Sequence, residues 1–154
     1  MKKILLAVDN TKGSEQAAKT VANWANVFRP ESIVLLNVQR LFGQSIIGEA
    51  LESDQDIEEV NEALEGSELQ QQLNTTSDKI LTHFTGLLKQ AGYSDIKSVI
   101  KQGHPAEQIL DTAKQEGVDL IVLGSRGRRF HNLLLGSVSR EVTNTADISV
   151  LVAR

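Results

Sequence analysis

Residues 121–139 read IVLGSRGRRFHNLLLGSVS, and this stretch decides how the chain folds. Its apolar start ends at Gly124, and a second glycine follows at Gly127. A short apolar run of this kind is typical of a strand that is buried on both faces of a parallel sheet. Glycine allows backbone N–H groups to approach a ligand closely, because no Cβ stands in the way. The stretch therefore predicts a buried strand that leads into a loop able to hold an anion.

The rest of the same stretch carries positive charge and the start of a helix. The loop contains three arginines, and no acidic residue occurs between Asp119 and Glu141. Ser137, which follows Gly136, is the expected cap of the next helix. A helix N-terminus offers unpaired N–H donors and a positive dipole end, both of which attract phosphate. We therefore expect a phosphate-binding loop, although glycines are common at strand-to-helix turns and a basic loop is often plain solvated surface.

The composition is that of an ordinary globular protein, with 40% hydrophobic and 23% charged residues among 154. The chain has no cysteine, which excludes disulfides and thiolate metal ligands. The N-terminus has no signal-peptide pattern, and no apolar run approaches the ~20 residues of a membrane span. We therefore expect a single domain over residues 1–154, located in the cytoplasm and with no membrane partner.

The net charge of −4 is unevenly distributed along the chain. From Glu49 to Glu68, both included, there are nine acidic residues and no lysine or arginine, which favours a solvated surface. The sequence has no broad basic stripe and no set of aromatic residues for base stacking, so we expect no nucleic-acid partner.

The pattern of apolar residues predicts five strands that alternate with four helices. The strands are expected at 3–8, 32–38, 96–100, 119–123 and 148–153, and the helices at 14–28, 69–91, 105–116 and 137–145, with a short helical piece at 56–64. Ser14 is the expected cap of the first helix. This alternation predicts an α/β fold with a doubly wound parallel sheet in the order 3-2-1-4-5 and helices on both faces.

In that order the chain reverses direction between strands 1 and 4, and ligands bind outside the carboxyl ends of the strands at such a point. Asp9 and Gly124 follow those two strands and should converge on one crevice. Asp9 is expected to accept hydrogen bonds from a ligand there, with an Asx turn that caps its own loop as the alternative. His104, which precedes Pro105, is the expected N-cap of the third helix.

Several chemical classes lack their sequence signals. No Walker-type phosphate loop is present, and no Gly-x-Gly-x-x-Gly follows a strand. Residues 136–139 lack the second glycine of a hydrolase nucleophile elbow. His83, His104 and His131 are too far apart for a metal motif. A phospho-accepting receiver domain would need a further acidic residue beside Asp9 and an aspartate after strand 3, where the sequence has Lys101.

The chain resembles the universal stress protein family over almost its whole length. That family has Gly-x-x-Gly, a spacer of nine residues and then Gly-[Ser/Thr] after the fourth strand. Here residues 124–127 and Gly136-Ser137 match the signature, with a spacer of eight residues instead of nine. Three further stretches are similar to the family: the opening at residues 7–15, Gly103-His104-Pro105-Ala106 and Val150-Leu151-Val152.

The resemblance implies the ATP-binding branch of the family, and hence a stress-response regulator or sensor that binds ATP or AMP, with a divalent cation held through the phosphates. It also implies a homodimer joined through the last strand, residues 148–153. A slow ATP hydrolase or nucleotide-transforming enzyme is the alternative function, and a dimeric interaction protein without nucleotide is a third. The nucleotide contacts that the resemblance implies are Ala7, Val8, Asp9 and Val38 for the adenosine, and Leu123, Gly124, Arg126, Gly127, Gly136, Ser137, Val138 and Ser139 for the ribose and phosphates.

Overall fold

The computed structural model describes residues 2–24, 28–40, 66–125 and 135–154. Within these ranges the strands are β1 (Lys3–Ala7), β2 (Ser32–Gln39), β3 (Ile96–Gln102), β4 (Leu120–Gly124) and β5 (Ser149–Ala153). The helices are α1 (Lys12–Asn23), α2 (Glu68–Gln90), α3 (Pro105–Glu116) and α4 (Ser137–Thr145). The helical piece expected at 56–64, Arg126 and Gly127 lie outside the described residues.

The five strands form one parallel sheet in the order β3-β2-β1-β4-β5. This confirms the predicted strand order and the doubly wound α/β class. β1 lies at the centre, paired with β2 on one side and β4 on the other. The carboxyl ends of β1 and β4 are therefore neighbours, as a ligand crevice at the switch point requires.

The helices cover both faces of the sheet. α1 and α2 pack on one face around Leu6, Val21 and Phe84. α3 and α4 pack on the other face around Leu36, Ile109 and Val142. Successive strand residues alternate between the two cores, because side chains of a strand point to opposite faces in turn.

The start of α1 differs from the prediction. Thr11, and not Ser14, is the N-cap, and its hydroxyl accepts the Ser14 N–H at 3.4 Å. Ser14 lies instead in the first turn, almost fully buried, where its hydroxyl bonds Asp9. The described helix ends at Asn23 with Trp24 as the C-cap. Residues 25–27 of the predicted extension to Phe28 lie outside the described residues.

A cluster of side-chain amides anchors α2 to the carboxyl ends of β2 and β3. The Gln39 side chain, which is buried, donates to Ser77 at 2.9 Å and to Asn74 at 3.1 Å, and accepts from Gln102 at 3.0 Å. Gln70 accepts from Gln102 at 2.9 Å.

None of the helices in the described ranges combines the length and the apolar character needed to cross a bilayer.

Candidate functional site at the carboxyl edge of the sheet

The structure brings four of the predicted contact residues together on the face covered by α3 and α4. Ala7 is the last residue of β1 and Val38 the last but one of β2. Leu123 lies in β4, and Val138 lies in the first turn of α4. Leu123 is buried, whereas the other three are only half-buried against the same core. The crevice therefore has a partly open apolar floor, which suits the flat face of an aromatic ring.

Val8 differs from these residues, because its side chain lies on the opposite face in the core with α1. Its backbone is held at both ends: the N–H donates to Leu36 O at 2.8 Å, and the carbonyl accepts from Asn37 Nδ2 at 2.8 Å. Asn37 was missed by the sequence reasoning. The signal was available, since a single buried amide interrupts the apolar run of β2.

Asp9 closes the loop that leads from β1 into α1. Its Oδ1 accepts from Ser14 Oγ at 2.7 Å, from Thr11 N–H at 3.0 Å and from the Thr11 hydroxyl. Ser14 Oγ in turn accepts the Asp9 N–H at 2.8 Å. The Asx-turn alternative therefore describes Oδ1 correctly. Oδ2 makes no hydrogen bond to any described residue, and Asp9 is exposed, so one carboxylate oxygen remains available for a ligand.

Gly124 is required for packing against the neighbouring loop. A Cβ at this position would lie 2.3 Å from the carbonyl carbon of Gly13 and 2.6 Å from its Cα. The backbone of α1's first turn thus occupies the space that a side chain would need. This contact brings the segments after β1 and after β4 together at the crevice.

Ser125 joins the end of β4 to the start of α4 and to the end of β5. Its carbonyl accepts the Gly136 N–H at 2.7 Å and the Ser139 hydroxyl at 3.4 Å. Its own N–H donates to Ala153 O at 2.7 Å, at the end of β5. Ser125 and Ser139 are both buried. The start of α4 is therefore fixed to the end of β4, and sequence reasoning did not find this role of Ser125.

The N-termini of α1 and α4 differ in a way that bears on anion binding. Thr11 caps α1 with its side chain, and Asp9 places a carboxylate beside it. In α4 the N-cap is Gly136, and no side chain caps the helix. The predicted cap, Ser137, is the first helical residue and is exposed. The N–H groups of Ser137 and Val138 have no acceptor among the described residues, so α4 presents open donors and its positive dipole end.

The structure also positions α3 at this edge. His104 is its N-cap, as predicted, and Pro105 occupies the first turn, where a missing N–H is tolerated. His83, by contrast, lies exposed on α2 and pairs with Glu15 at 2.6 Å. Among the described residues, no group of three or more histidine, aspartate or glutamate side chains is arranged to hold a metal ion.

The chain is a doubly wound α/β protein, and an apolar floor, a carboxylate and a helix N-terminus meet at its switch point between β1 and β4, which makes this point the candidate ligand site. The chain belongs to the universal stress protein family, whose profile matches residues 1–154. This finding confirms the resemblance that the sequence motifs indicated.

The relatives differ in how similar they are. Universal stress protein MJ0577 of Methanocaldococcus jannaschii is 30% identical over 99% of this chain and 94% of its own length. A solved structure of MJ0577 superposes with a TM-score of 0.77 at 29% identity over the same shares of both chains. Two structures share the fold at lower identity. A universal stress protein in complex with cAMP is 17% identical with a TM-score of 0.61, covering 99% of this chain and 96% of its own. The Archaeoglobus fulgidus protein in complex with dAMP is 18% identical with a TM-score of 0.64, covering 100% and 98%.

Proposed function

We propose that this chain binds an adenine nucleotide, ATP or AMP, in the crevice at the switch point and acts as a stress-response regulator or sensor. Family membership supports the proposal, as do the two solved relatives that hold cAMP and dAMP. The observation that carries it in this chain is the open N-terminus of α4. An N-cap glycine without a side-chain cap leaves the first-turn N–H groups free to bind phosphate oxygens.

Each part of the nucleotide has a matching group in the crevice. The adenosine would lie on the half-buried side chains of Ala7 and Val38, with Asp9 Oδ2 as an acceptor for its hydroxyl or amino hydrogens. Val8, Leu123 and Gly124 would shape the floor, mainly through backbone. The phosphates would meet Ser137, Val138 and Ser139 at the start of α4 beside Gly136, together with Arg126 and Gly127.

The described residues favour binding over hydrolysis. The Ser139 hydroxyl is buried and donates to Gly136 O at 3.0 Å, so it is held as a structural donor. The Ser137 hydroxyl has no histidine or carboxylate partner among the described residues, and a serine nucleophile needs such a base. N–H groups that bind phosphate charge equally before and during the reaction tighten binding without raising the rate.

The direct test is mass spectrometry of nucleotide released from protein purified without additives, followed by calorimetry with ATP and AMP. We expect adenine nucleotide to be released and both ligands to bind, with phosphate release from ATP far below the ~1–100 s⁻¹ of kinases. ATP hydrolysis at several turnovers per second that is lost in Ser137→Ala would instead establish the enzyme. If neither nucleotide binds, the remaining hypothesis is a dimeric interaction protein that does not bind nucleotide.

We propose in addition that two copies associate through β5. The two edge strands of the sheet differ in composition: β3 carries Lys97 and Lys101, whereas β5 reads SVLVA without a charge. Charged side chains protect an edge from pairing, and an apolar edge invites it. The symmetric pairing of two β5 strands would satisfy the outward backbone groups of both chains.

Two exposed isoleucines provide a matched test of the dimer. Ile148 precedes β5 and is 36% exposed, and Ile100 lies on β3 and is 37% exposed. We expect Ile148→Lys to shift the mass measured by light scattering from dimer toward monomer, and Ile100→Lys to leave it unchanged. Val150 is less suitable for this purpose, because it packs against the core. A monomeric wild type at micromolar concentration would exclude the dimer.

A further inference from the structure

A groove lies between α3 and the segment that joins α4 to β5, on the face of the sheet that these two helices cover. Its volume is about 690 Å³. The buried side chains of Ala113, Val118 and Ile121 line its apolar part. The groove is separate from the nucleotide crevice, because α3 ends and β4 begins at the amino end of the sheet.

The rim of the groove is acidic. Glu107, Asp111 and Asp147 lie on it together with one lysine, Lys114. All four side chains are exposed, and none of them forms a salt bridge with another described residue. An apolar lining with an acidic rim suits a side chain that combines an alkyl stem with a positive head.

The groove continues into the open edge of the sheet. Asp147 and Ile148 line the groove and directly precede β5, and Ile148 is 36% exposed. β5 is an edge strand and carries no charged side chain. A second copy that pairs with this edge would therefore also meet the groove.

The backbone of β5 limits how two copies can pair. The carbonyl of Ala153 accepts a hydrogen bond on the β4 side, so the backbone groups of Val150 and Val152 face outward. One antiparallel two-fold register pairs both outward residues within the two strands, and it sets Val150 of each copy opposite Val152 of the other. In this register Ile148 of one copy lies beside Arg154 of the other.

Arg154 has the chemistry that the groove requires. It is exposed and forms no salt bridge with any described residue. Val150 and Val152 pack on the face covered by α3 and α4, and a side chain two residues further along a strand points to the same face. Directly opposite side chains of an antiparallel pair share one face, with Cβ atoms about 4.5–5.5 Å apart. Arg154 of a second copy would thus stand on the groove side, next to Ile148 and Asp147.

We propose that the groove receives Arg154 of a second copy, whose guanidinium pairs with Asp147 while its alkyl stem covers Ile148. The inference rests on the proposed dimer through β5 and names the contact that fixes its register. Glu107 and Asp111 add to the attraction, and Lys114 opposes it. Because the dimer is symmetric, the pair occurs twice in each interface.

The test is sedimentation velocity over a dilution series, which measures the dissociation constant of the dimer. An exposed ion pair contributes up to about fivefold in such a constant, and two pairs are lost together. We therefore expect Arg154→Glu and Asp147→Lys each to raise the dissociation constant about tenfold. Added salt should weaken the wild-type dimer and strengthen both variants, because it screens attraction and repulsion alike. Lys101→Glu makes the same change of charge on β3, at the opposite edge, and should leave the constant unchanged.

Mixing the two single variants shows whether the pair joins two chains. A mixed dimer of Arg154→Glu with Asp147→Lys has one native pair and one pair with the charges exchanged, so both are attractive. We expect the mixture to associate about as tightly as the wild type, although each variant alone associates weakly. A pair formed within one chain would not be restored by mixing.

The outcomes distinguish this inference from the proposed dimer. A dimer with the same dissociation constant in the wild type and Arg154→Glu would overturn the groove contact and leave pairing through β5 intact. A weakened Arg154→Glu dimer that mixing with Asp147→Lys fails to restore would overturn the pairing of these two residues. A wild type that stays monomeric at micromolar concentration would overturn both the contact and the dimer.

Discussion

The two ends of the sheet treat charge and hydrogen bonding in opposite ways. At the amino end, Glu116 at the end of α3 accepts from Lys3 at 2.7 Å and also from Lys97. Asp119, just before β4, accepts the backbone N–H groups of Lys2 at 2.6 Å and Lys3 at 3.0 Å. Every one of these groups is paired within the chain, and the pairs join β1, β3, α3 and the start of β4.

At the carboxyl end, beside the paired amides of Gln39 and Gln102, some donors and acceptors have no partner among the described residues. α4 begins at a glycine N-cap without a side-chain cap, and Asp9 Oδ2 has no partner among the described residues. The amino end thus pairs its charged groups within the fold, whereas the carboxyl end also carries polar groups that, under the proposed function, bind the nucleotide. Substitutions at each end of the sheet test this division.

Gly124→Ala should cause the largest loss of stability. The new methyl group would lie 2.3 Å from the Gly13 backbone, which cannot rotate away as a side chain can. Overpacking of this kind costs about 1–3 kcal/mol or more. Urea unfolding measures the loss. Gly86→Ala in α2 is the matched control: nothing lies within 4 Å of its Cβ, so it should stabilise by about 0.5–1 kcal/mol. Equal stability of Gly124→Ala and the wild type would show that the two loops do not pack as described.

Asp9→Ala should have the next largest effect, on nucleotide binding and on the fold together. Loss of a charge-assisted hydrogen bond weakens binding by about 1.5–3 kcal/mol, and loss of Oδ1 removes the acceptor for Thr11 and Ser14. Asp9→Asn separates the two roles, because its amide oxygen can still accept from Thr11 and Ser14, whereas an NH2 donor replaces the acceptor Oδ2. Calorimetry on both variants measures the change in nucleotide affinity, and thermal melting measures the change in stability. Unchanged affinity in Asp9→Asn with an intact melting temperature would limit Asp9 to its turn.

The sheet could be predicted from the sequence because its central strands are short apolar runs, which are stable only when both faces of the strand are buried. The order of those strands followed from handedness and short connections, and the glycine motif identified the family. The helix starts were less predictable. Ser14 and Ser137 each have the right chemistry for a cap, but the cap depends on where the preceding loop turns. Thr11 and Gly136 take those positions because the Asp9 turn and the Ser125 carbonyl hold the two loops.

The site was predictable in its position but not in its detail. The switch point follows from strand order alone, whereas the close approach of Gly124 to Gly13 joins segments more than a hundred residues apart. No local sequence pattern indicates a contact between segments so far apart in the chain. The same holds for His104 and Glu141, which meet only because α3 and α4 share one face of the sheet.

Gly136→Asp should change stability and binding in opposite directions. The backbone angles of Gly136, φ −71° and ψ 167°, are accessible to any residue, and aspartate is a better N-cap than glycine by a few tenths of a kcal/mol. Its carboxylate would occupy the N–H groups that the phosphate needs and would repel the phosphate. We expect a slightly raised melting temperature and about tenfold weaker nucleotide binding, near the cost of one hydrogen bond to a charged group. Gly136→Asn, an uncharged cap, should weaken binding less.

Glu116→Gln should have the smallest effect, confined to the amino end and to acidic pH. Hydrogen bonds from Lys3 and then Lys97 lower the pKa of Glu116 from 4.5 to about 2. Because the pKa is lowered in the folded state, the unfolded chain takes up the proton first. The stabilisation is therefore complete above about pH 4.5 and is lost as the pH falls toward 2.

Urea midpoints measured from pH 6 to 2.5 should fall more steeply for the wild type than for Glu116→Gln. Backbone hydrogen bonds from Lys3 and Lys2 also lower the pKa of Asp119, so part of the slope should remain in the variant. Asp111→Asn, on the exposed side of the same helix, is the control and should follow the wild type. Nucleotide affinity at neutral pH should be the same in all three proteins, since the crevice lies at the other end of the sheet. Parallel curves for the wild type and Glu116→Gln would mean that the amino end does not supply the acid-sensitive part of the stability.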